Sequence, residues 1–311
     1  MRVAVVGAGA AGLASARHLL AVGMDVELLE RGGEVGGVWN YGRPQGRVYR
    51  STHTISSKPL TQFPDLPMPD AYPDYPHHRQ VLEYLRRYAE RFGLTEHVRF
   101  ATTVVALEPE ERGRSDTGWV VETDDGARAR YDAVVIANGH NHEPRRPDWP
   151  GEFDGTFIHS ADYRTPDLFA DRRVLVVGAG NSGCDIAVEA AAVARATALS
   201  MRRGYHYVPK YLLGRPVDQV SEWTLDLRLP LPIRRWIARQ AVRLGPGLPS
   251  RVGLPEPDHA LLESHPIVNT LLPYYVRHGR IRPVADVARL EGDRVRLVDD
   301  SIEPVDVLVA A

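Results

Sequence analysis

Two stretches of the sequence carry three glycines at the spacing Gly-x-Gly-x-x-Gly. They are Gly7, Gly9 and Gly12 in the first glycine motif, and Gly178, Gly180 and Gly183 in the second. In such a turn the first glycine permits a tight bend, the second lets the backbone approach a pyrophosphate, and the third lets a helix pack closely on a strand. Free N–H groups at the start of the following helix attract the anion. Both motifs therefore predict the binding of a dinucleotide.

The first glycine motif stands between elements that can position it. Arg2–Val6 is a β-branched run that predicts a buried parallel strand, and Leu13–Ala21 predicts a helix. A second strand, Asp25–Leu29, ends at Glu30, which lies 18 residues after the last glycine. A carboxylate about 20 residues beyond the motif binds ribose hydroxyls. The first motif therefore suits an unmodified ribose, as in FAD.

The second glycine motif repeats this arrangement with a different charge. Arg173–Val177 predicts a strand, Cys184–Ala194 a helix, and Thr197–Met201 a further strand that ends in Arg202 and Arg203. Arg202 lies 19 residues after the last glycine, where the first motif has its acid. A guanidinium there favours a ribose that carries a 2′-phosphate, because it can pair with two phosphate oxygens. The second motif therefore predicts NADPH, and the alternative is a solvated arginine pair.

Further segments of the chain are duplicated. Tyr131–Gly139 predicts a strand that closes one nucleotide unit, and Val305–Ala311 begins in the same way. A β-meander precedes each of them, formed by Val98–Leu107 with Trp119–Thr123 and by Val287–Leu290 with Arg294–Val298. The second copy stops where the Asn-Gly of the first would follow, so we expect that the chain is truncated at its C-terminus.

These patterns predict an α/β fold with two Rossmann-like dinucleotide-binding domains, each with a β-meander or an insertion. We expect an FAD-binding domain over residues 1–145 and an NADPH-binding domain over 146–283, with an insertion at about 211–253. Residues 284–311 are expected to return to the FAD-binding domain.

A motif between the two glycine turns resembles that of a known family. The stretch from Phe153 to Tyr163 fits Phe-x-Gly-x-x-x-His-x-x-x-Tyr, with Gly155 and His159 at the inner positions. This is the pattern of the flavin-containing monooxygenases, and the chain resembles that family from its first residue to its last. Gly36–Trp39 looks like the family's Gly-Gly-x-Trp segment along FAD. Residues 49–73 look like its linker over the flavin, and residues 263–266 also look like a family segment.

The motifs and the resemblance together give a set of cofactor-binding candidates. For FAD they are Gly7, Gly9, Gly12, Glu30, Arg31, Gly37, Val38, Trp39 and Val104, and for NADPH they are Gly178, Gly180, Asn181, Ser182, Gly183, Arg202 and Arg203. No catalytic side chain and no metal site can be assigned. The resemblance implies a hinge role for His159, and it places Ile55 where many family members have an asparagine that helps to hold the oxygenated flavin and NADP.

The resemblance implies an NADPH- and FAD-dependent monooxygenase. Such an enzyme inserts one oxygen atom of O2 into a soft nitrogen or sulfur nucleophile through a C4a-hydroperoxyflavin. Tyr163, where Baeyer–Villiger enzymes usually have Trp, favours amine and sulfide oxidation. Three alternatives stay open: a Baeyer–Villiger monooxygenase, an NADPH oxidase that produces hydrogen peroxide, which Ile55 motivates, and an inactive fragment.

Composition excludes several other classes. The chain has 311 residues and a formal net charge of −2, whereas a dedicated nucleic-acid surface needs a large basic excess. Its single cysteine, Cys184, excludes a disulfide framework and a thiolate zinc cluster. No run of 18 apolar residues exists, and the N-terminus lacks a signal-peptide pattern. We expect a cytoplasmic protein whose partners are a small-molecule substrate and O2, with a homodimer as an open alternative.

The insertion contains an amphipathic helix. Its apolar residues recur at helical spacing, and its arginines lie on the other face. The apolar positions are Ile233, Trp236, Ile237, Ala241 and Leu244, and the basic ones are Arg234, Arg235, Arg239 and Arg243. A basic amphipathic helix can lie on a membrane surface. We expect instead that this helix packs its apolar stripe onto the domain, and we do not expect membrane association.

Overall fold

The structure is a computed structural model that describes residues 1–111, 114–140, 143–244, 247–264 and 266–311. The chain divides into two compact units. The first unit comprises Met1–Thr54 and Thr61–Glu143, and the second comprises Ile55–Leu60 and Pro144–Ala311.

The described residues contain the following elements. The helices are α1 Ala10–Ala21, α2 Lys58–Thr61, α3 His78–Arg91, α4 Asn181–Val193, α5 Val217–Asp226, α6 Leu231–Leu244 and α7 Leu271–Arg277. The strands are β1 Arg2–Val6, β2 Asp25–Leu29, β3 Val98–Arg99, β4 Val104–Glu111, β5 Arg114–Thr123, β6 Arg128–Tyr131, β7 Ala133–Ile136, β8 Gly151–Phe153, β9 Thr156–His159, β10 Arg173–Val177, β11 Ala196–Ser200, β12 Tyr207–Val208, β13 Tyr211–Leu212, β14 Arg215–Pro216, β15 Ile267–Val268, β16 Ile281–Val284, β17 Val287–Gly292, β18 Arg294–Leu297, β19 Ile302–Pro304 and β20 Val307–Ala310.

The first unit is built on a parallel sheet of order β3-β2-β1-β7. The middle of β1 is fully buried, as its run of apolar residues predicts, and α1 and α3 pack on this sheet around Leu13, Tyr84 and Tyr88. The antiparallel meander β4-β5-β6 forms a second layer. The predicted strand Val98–Leu107 is thus two strands, because β3 joins the parallel sheet and only β4 belongs to the meander.

The second unit repeats this plan. Its parallel sheet has the order β16-β11-β10-β20-β9, with α4 following β10 as α1 follows β1. A second sheet of order β19-β18-β17-β8 packs on it around Leu175, Val295, Leu297 and Leu308. The predicted α/β fold with two Rossmann-like sheets is therefore confirmed.

The duplication extends to individual hydrogen bonds. In the first unit the N–H of Arg2 donates to Oδ2 of Asp132 at 2.7 Å, and in the second the N–H of Arg173 donates to Oδ2 of Asp306 at 2.7 Å. Each aspartate stands just before a strand that pairs in parallel with the first strand of its unit, β7 with β1 and β20 with β10. Its carboxylate therefore fixes the start of β7 against the start of β1, and the start of β20 against the start of β10.

The expected return of residues 284–311 to the first domain is wrong. Strand β20 pairs in parallel with β10 and β9, and β16 pairs with β11, so these residues complete the second sheet. The physical reason is the register that Asp306 fixes, which places β20 in the second unit as Asp132 places β7 in the first.

The amphipathic helix of the insertion forms as α6, but its orientation differs from the expectation. Trp236 is 63% exposed and Ile233 is also exposed, whereas Ala241 near the C-terminal end is buried. The side chain of Leu244 lies outside the described residues. The apolar stripe therefore packs on the unit at one end only.

Hydrogen bonds donated by two arginines explain this orientation. Arg234 donates from Nε to Oγ1 of Thr224 at 3.3 Å, and Arg235 donates from Nε to the carbonyl of Leu261 at 3.2 Å. Arg235 also forms an ion pair with Glu263 at 3.0 Å. Because both guanidinium groups bind within the unit, they turn Ile233 and Trp236 toward solvent.

Within the parts of the chain that the structure describes, no helix combines the length and the hydropathy needed to cross a bilayer.

Candidate functional site

The first glycine motif forms the predicted turn. Gly7 has a φ of +101°, and a Cβ there would lie 2.7 Å from the carbonyl oxygen of Ala137. A Cβ at Gly12 would lie 1.9 Å from the carbonyl oxygen of Gly7, so α1 can pack on this turn only without a side chain. Gly9 is open except for Cα of Gly37 at 3.8 Å. The geometry leaves backbone exposed at the second glycine, as a pyrophosphate requires.

Glu30 orders the first turn. Its side chain is almost fully buried, with the residue 5% exposed, and its carboxylate accepts the N–H of Ala8 and the N–H of Gly32, each at 2.7 Å. A carboxylate has about four acceptor positions, so two remain for further hydrogen bonds. Glu30 therefore holds the glycine turn in shape and keeps acceptor capacity at the end of β2.

A second loop lies against the first turn. The N–H of Gly36 donates to the carbonyl of Ala8 at 3.0 Å, and a Cβ at Gly37 would lie 3.2 Å from Cα of Gly9. Trp39 packs on the core below, and Val38 is exposed. The structure thus brings the predicted segment Gly37–Trp39 to the predicted turn.

Two other FAD candidates lie near the end of β2. Arg31 lines a cavity of about 630 Å³, together with Gly32 and Thr103; we call it the first cavity. Val104 does not line it, because its side chain packs in the apolar layer between the parallel sheet and the meander. The preceding residue, Thr103, lines the cavity instead.

The second glycine motif has the same geometry as the first. Gly178 has a φ of +108°, and a Cβ there would lie 2.1 Å from the carbonyl oxygen of Ala311. A Cβ at Gly183 would lie 2.0 Å from the carbonyl oxygen of Gly178, whereas a Cβ at Gly180 would meet nothing within 4 Å. The second turn therefore also presents open backbone at its middle glycine.

A cavity of about 630 Å³ opens on this turn, and we call it the second cavity. Gly178 and Gly180 line it, as does Arg202, but the predicted Arg203 does not. The guanidinium carbon of Arg203 lies 5.2 Å from the centre of the Tyr205 ring, and Tyr205 itself lines the cavity. Arg203 therefore supports the wall through Tyr205.

The register of the strands corrects the expected position of the arginine. In each unit the N–H of the first glycine donates to the carbonyl of the last residue of the neighbouring strand, at 2.8 Å for β2 and 3.1 Å for β11. The next residue is Glu30 in the first unit and the buried Met201 in the second. The counterpart of Glu30 is thus Met201, and Arg202 lies one residue later.

The second cavity also contains residues that the sequence reasoning missed. Among them are Arg145, Trp149, Ser200 and Asp286. The hydroxyl of Ser200 is buried and has no hydrogen-bond partner in the described chain, which leaves a polar group in the wall for a ligand. The adjacent pair Arg145-Arg146 is a basic signal in the sequence, but only the fold shows which member faces the cavity.

The family motif has mainly packing roles. A Cβ at Gly155 would lie 2.6 Å from the carbonyl oxygen of Asp306, so this glycine permits close packing under Phe153. Tyr163 is buried, stacks on Phe169 with ring centres 5.4 Å apart, and donates a hydrogen bond to Glu189 on α4. Of the four motif residues only His159 lines the second cavity.

The start of α4 is bound to a neighbouring loop. Oδ1 of Asn181 accepts the N–H of Val268 at 3.1 Å, and Oδ1 of Asp185 accepts a hydrogen from Asn269 at 2.7 Å. Ser182 is exposed on the same turn. Asn181 therefore positions the loop beside the glycine turn. Burial raises the pKa of the Cys184 thiol, which stays protonated and unreactive.

Ile55 lies in a short segment that belongs to the second unit. It is 49% exposed. Two residues later the N–H of Ser57 donates to Oδ2 of Asp218 at 2.5 Å, and Gln219 donates to the Ser57 hydroxyl at 3.3 Å. These bonds hold the segment on the N-terminal turn of α5. In the predicted family segment at residues 263–266, His265 lies outside the described residues.

Both turns fit a dinucleotide by their own geometry. Each turn needs glycine at the third position and leaves the second open, and the second cavity adds an unpartnered hydroxyl and arginines. In the described residues no group of three or more His, Cys, Asp or Glu side chains is arranged to hold a metal ion.

The comparison with known proteins identifies the family. A family model described as flavin-binding monooxygenase-like matches residues 1–311. The chain belongs to the flavin-containing monooxygenase family. The flavin-containing monooxygenase 5 of Mus musculus is 33% identical over 336 residues, which cover 100% of the chain and 61% of that relative. The chain thus spans less than two thirds of the length of this relative.

Solved structures of flavin-containing monooxygenases and similar enzymes share the fold. The S-allyl-L-cysteine S-oxygenase of Allium sativum has a TM-score of 0.67 and 23% identity, over 100% of this chain and 62% of that one. An open structure of cyclohexanone monooxygenase has a TM-score of 0.75 and 21% identity, over 100% of this chain and 72% of that one. The family consists of oxidoreductases whose cofactors are FAD and NADPH.

Proposed function

We propose that this flavin-containing monooxygenase binds FAD at the first glycine turn and NADPH at the second, and that it inserts one atom of O2 into a soft nitrogen or sulfur nucleophile. The observation that carries the proposal is the duplicated turn with different residues at the strand ends. Glu30 follows β2, whereas a buried methionine and Arg202 follow β11. Bound FAD would supply the redox chemistry and the activation of O2.

The residues of the first unit would hold FAD without reacting themselves. Backbone N–H groups at the start of α1 would bind the pyrophosphate, which the open position at Gly9 allows to approach. Glu30 would accept hydrogen bonds from the ribose hydroxyls with its remaining lone pairs. The Gly37–Trp39 loop, which lies against the turn, would close the other side.

The residues of the second unit would select NADPH. Arg202 would pair with the 2′-phosphate of the ribose, and the hydroxyl of Ser200 would find a partner on the bound nucleotide. Arg145 lines the same cavity and adds positive charge. Met201 offers no carboxylate that would repel the phosphate, which is the physical difference from Glu30 in the first unit.

Sulfur and nitrogen oxygenation is the substrate class that we propose. It is supported by Tyr163 at the end of the family motif and by the fold shared with a sulfur oxygenase. The likeness to cyclohexanone monooxygenase keeps a Baeyer–Villiger reaction as an outcome that the experiment must distinguish.

One observation favours a second candidate function. The half-exposed Ile55 stands where many family members have an asparagine, and an aliphatic side chain offers no hydrogen bond. The protein would act as an NADPH oxidase if the reduced oxygen were released as hydrogen peroxide before it reacted with a substrate.

The experiment is a product balance on the purified chain reconstituted with FAD. NADPH consumption, peroxide and products are measured with a thioether, a tertiary amine and a cyclic ketone. Sulfoxide or N-oxide in proportion to NADPH supports the proposal. Ester from the ketone alone would establish a Baeyer–Villiger enzyme, and peroxide equal to NADPH with every substrate would establish an oxidase. A colourless protein that retains no flavin would refute the proposal, the Baeyer–Villiger enzyme and the oxidase alike, and it would support the inactive fragment.

A further inference from the structure

A third cavity of about 280 Å³ lies at the amino ends of strands in the second parallel sheet, opposite the ends that lead to the second cavity. Strand β10 runs from Arg173 to Val177, and its carboxyl end leads into Gly178 and the second cavity. The third cavity is lined instead by the amino end of β10, with Arg173, and by the start of β11. It is therefore separate from the proposed NADPH site.

The walls of the third cavity are rich in guanidinium groups. Four arginines line it, accompanied by a single carboxylate. They are Arg173, Arg195, Arg280 and Arg282, and the carboxylate is that of Glu303. A cavity with this lining attracts anions because its positive charges exceed its negative ones.

Two of the four arginines are neutralised within the unit. Arg173 donates from Nε to Oδ2 of Asp306 at 3.0 Å, and Arg282 donates from Nη1 to Oε1 of Glu303 at 2.6 Å. These pairs fix β10 beside β20 and β16 beside β19. Their structural role accounts for both guanidinium groups.

The other two arginines keep their charge. Arg280 donates from Nε to the carbonyl of Ala191 at 3.1 Å, a neutral acceptor at the end of α4. Arg195 forms no ion pair in the described parts of the chain, and the same holds for Arg280. Two positive charges at this cavity are therefore not compensated by a carboxylate within the described unit.

A buried hydroxyl in the same wall also lacks a partner. Thr197 is only 5% exposed and lines the third cavity, and its Oγ1 makes no hydrogen bond to any described residue. Buried polar groups almost always have a hydrogen-bond partner, either in the protein or in ordered water. Among the described residues, the side chains of Thr197 and Arg195 form no hydrogen bond or ion pair, unlike those of the paired arginines.

We propose that the third cavity binds the phosphate group of a small molecule. Arginine pairs with phosphate oxygens through two parallel hydrogen bonds, and a threonine hydroxyl can donate a further one. Arg195 and Arg280 supply the charge, and Thr197 supplies the neutral donor. Because the site joins β10, β11 and β16 at their amino ends, its ligand stabilises the second unit by mass action.

The test is a calorimetric titration with inorganic phosphate at constant ionic strength. All proteins carry Arg202→Gln, which removes the guanidinium that we propose for the 2′-phosphate in the second cavity, and any phosphate binding that remains at the glycine turns is common to all variants. Saturable binding is expected, about tenfold weaker in Arg195→Gln and severalfold weaker in Thr197→Val, which conserves volume and removes the hydroxyl. The control Arg289→Gln removes an exposed arginine from β17, away from the cavity, and leaves binding unchanged.

Several results would overturn the proposal. One is a binding heat or a melting shift with sodium chloride that equals the one with phosphate at the same ionic strength. Another is phosphate binding that is unchanged in Arg195→Gln and Thr197→Val. A third is binding of citrate but not of phosphate. A phosphate monoester measured beside inorganic phosphate shows which source of the group fits, since tighter binding of the monoester identifies an esterified ligand. The Thr197→Val protein is expected to melt no lower than its parent, so weaker binding cannot reflect unfolding.

Discussion

Alanine at two glycines of the second turn separates binding from folding. Gly180 and Gly183 are three residues apart in one motif, but their surroundings differ. A Cβ at Gly180 would meet nothing within 4 Å, and the residue has an ordinary φ of −69°. A Cβ at Gly183 would lie 2.0 Å from the Gly178 carbonyl oxygen and 3.3 Å from Cβ of Ala311. The same added methyl group is therefore expected to obstruct the ligand at Gly180 and to lower the folding stability at Gly183.

The magnitudes follow from these distances. At Gly183 the carbonyl must retreat by roughly an ångström, and overpacking of this kind costs about 1–3 kcal/mol or more. The intrinsic helix preference of alanine returns only about 1 kcal/mol. At Gly180 the added methyl group changes stability by less than about 1 kcal/mol, but it projects where a pyrophosphate must approach the backbone. A tenfold loss of NADPH affinity, equal to about 1.4 kcal/mol, is the expected minimum.

Thermal unfolding and a fluorescence titration with NADPH measure the two effects on each variant. Gly183→Ala is expected to lower the melting temperature by several degrees, whereas Gly180→Ala melts with the wild type and binds NADPH weakly. Wild-type NADPH affinity in a folded Gly180→Ala protein would refute the placement of the pyrophosphate at this turn. The first turn offers a repeat with FAD, because Gly9 and Gly12 differ in the same way.

Three further predictions concern single side chains. Arg202→Gln should weaken NADPH binding about tenfold or more, because a charge-assisted pair is lost, and it should affect NADH binding little. Arg203→Gln is the control because Arg203 does not line the cavity. Equal losses of NADPH affinity in both variants would contradict the assignment. His78 is buried beside His77, and burial lowers its pKa from 6.5 to about 4. Between these two pKa values the imidazole is protonated only in the unfolded chain. The free energy of unfolding of the wild type should therefore fall by about 2 kcal/mol more than that of His78→Phe from about pH 7.5 to about pH 5. Urea unfolding measures this difference, and an equal pH dependence of the unfolding free energy in both proteins would refute it. Ile55→Asn should lower the peroxide formed per NADPH, with Ile302→Asn as a control at another exposed isoleucine, and unchanged peroxide would argue against a role for this position.

Local pattern was sufficient to predict both glycine turns and the elements beside them. The short apolar strands β1 and β10 and the helices α1 and α4 follow directly from residues adjacent in sequence. The steric need for Gly12 and Gly183 is also local, since each meets the first glycine of its own motif. The family motif implied a hinge role for His159, and its place in the wall of the second cavity came from the structure.

Features that depend on distant residues were not predictable in the same way. The face of α6 that is exposed to solvent is set by the hydrogen-bond acceptors of Arg234 and Arg235. These acceptors lie on α5 and in residues 261–263, away from α6 in sequence. The spacing from the last glycine already differs by one residue, 18 for Glu30 and 19 for Arg202, but only the alignment of β11 with β10 shows that Met201 is the counterpart of Glu30. Arg145 and Ser200 reach the second cavity from separate segments, and no spacing rule connects them.

The matched hydrogen bonds of Asp132 and Asp306 make the molecule its own reference. Each position in one glycine turn has a structurally equivalent position in the other unit of the same protein, so the same substitution can be compared at both. The residue after the strand differs, glutamate in one unit and methionine in the other, so exchanging these two residues tests their proposed effect on ligand preference in turns of matched backbone.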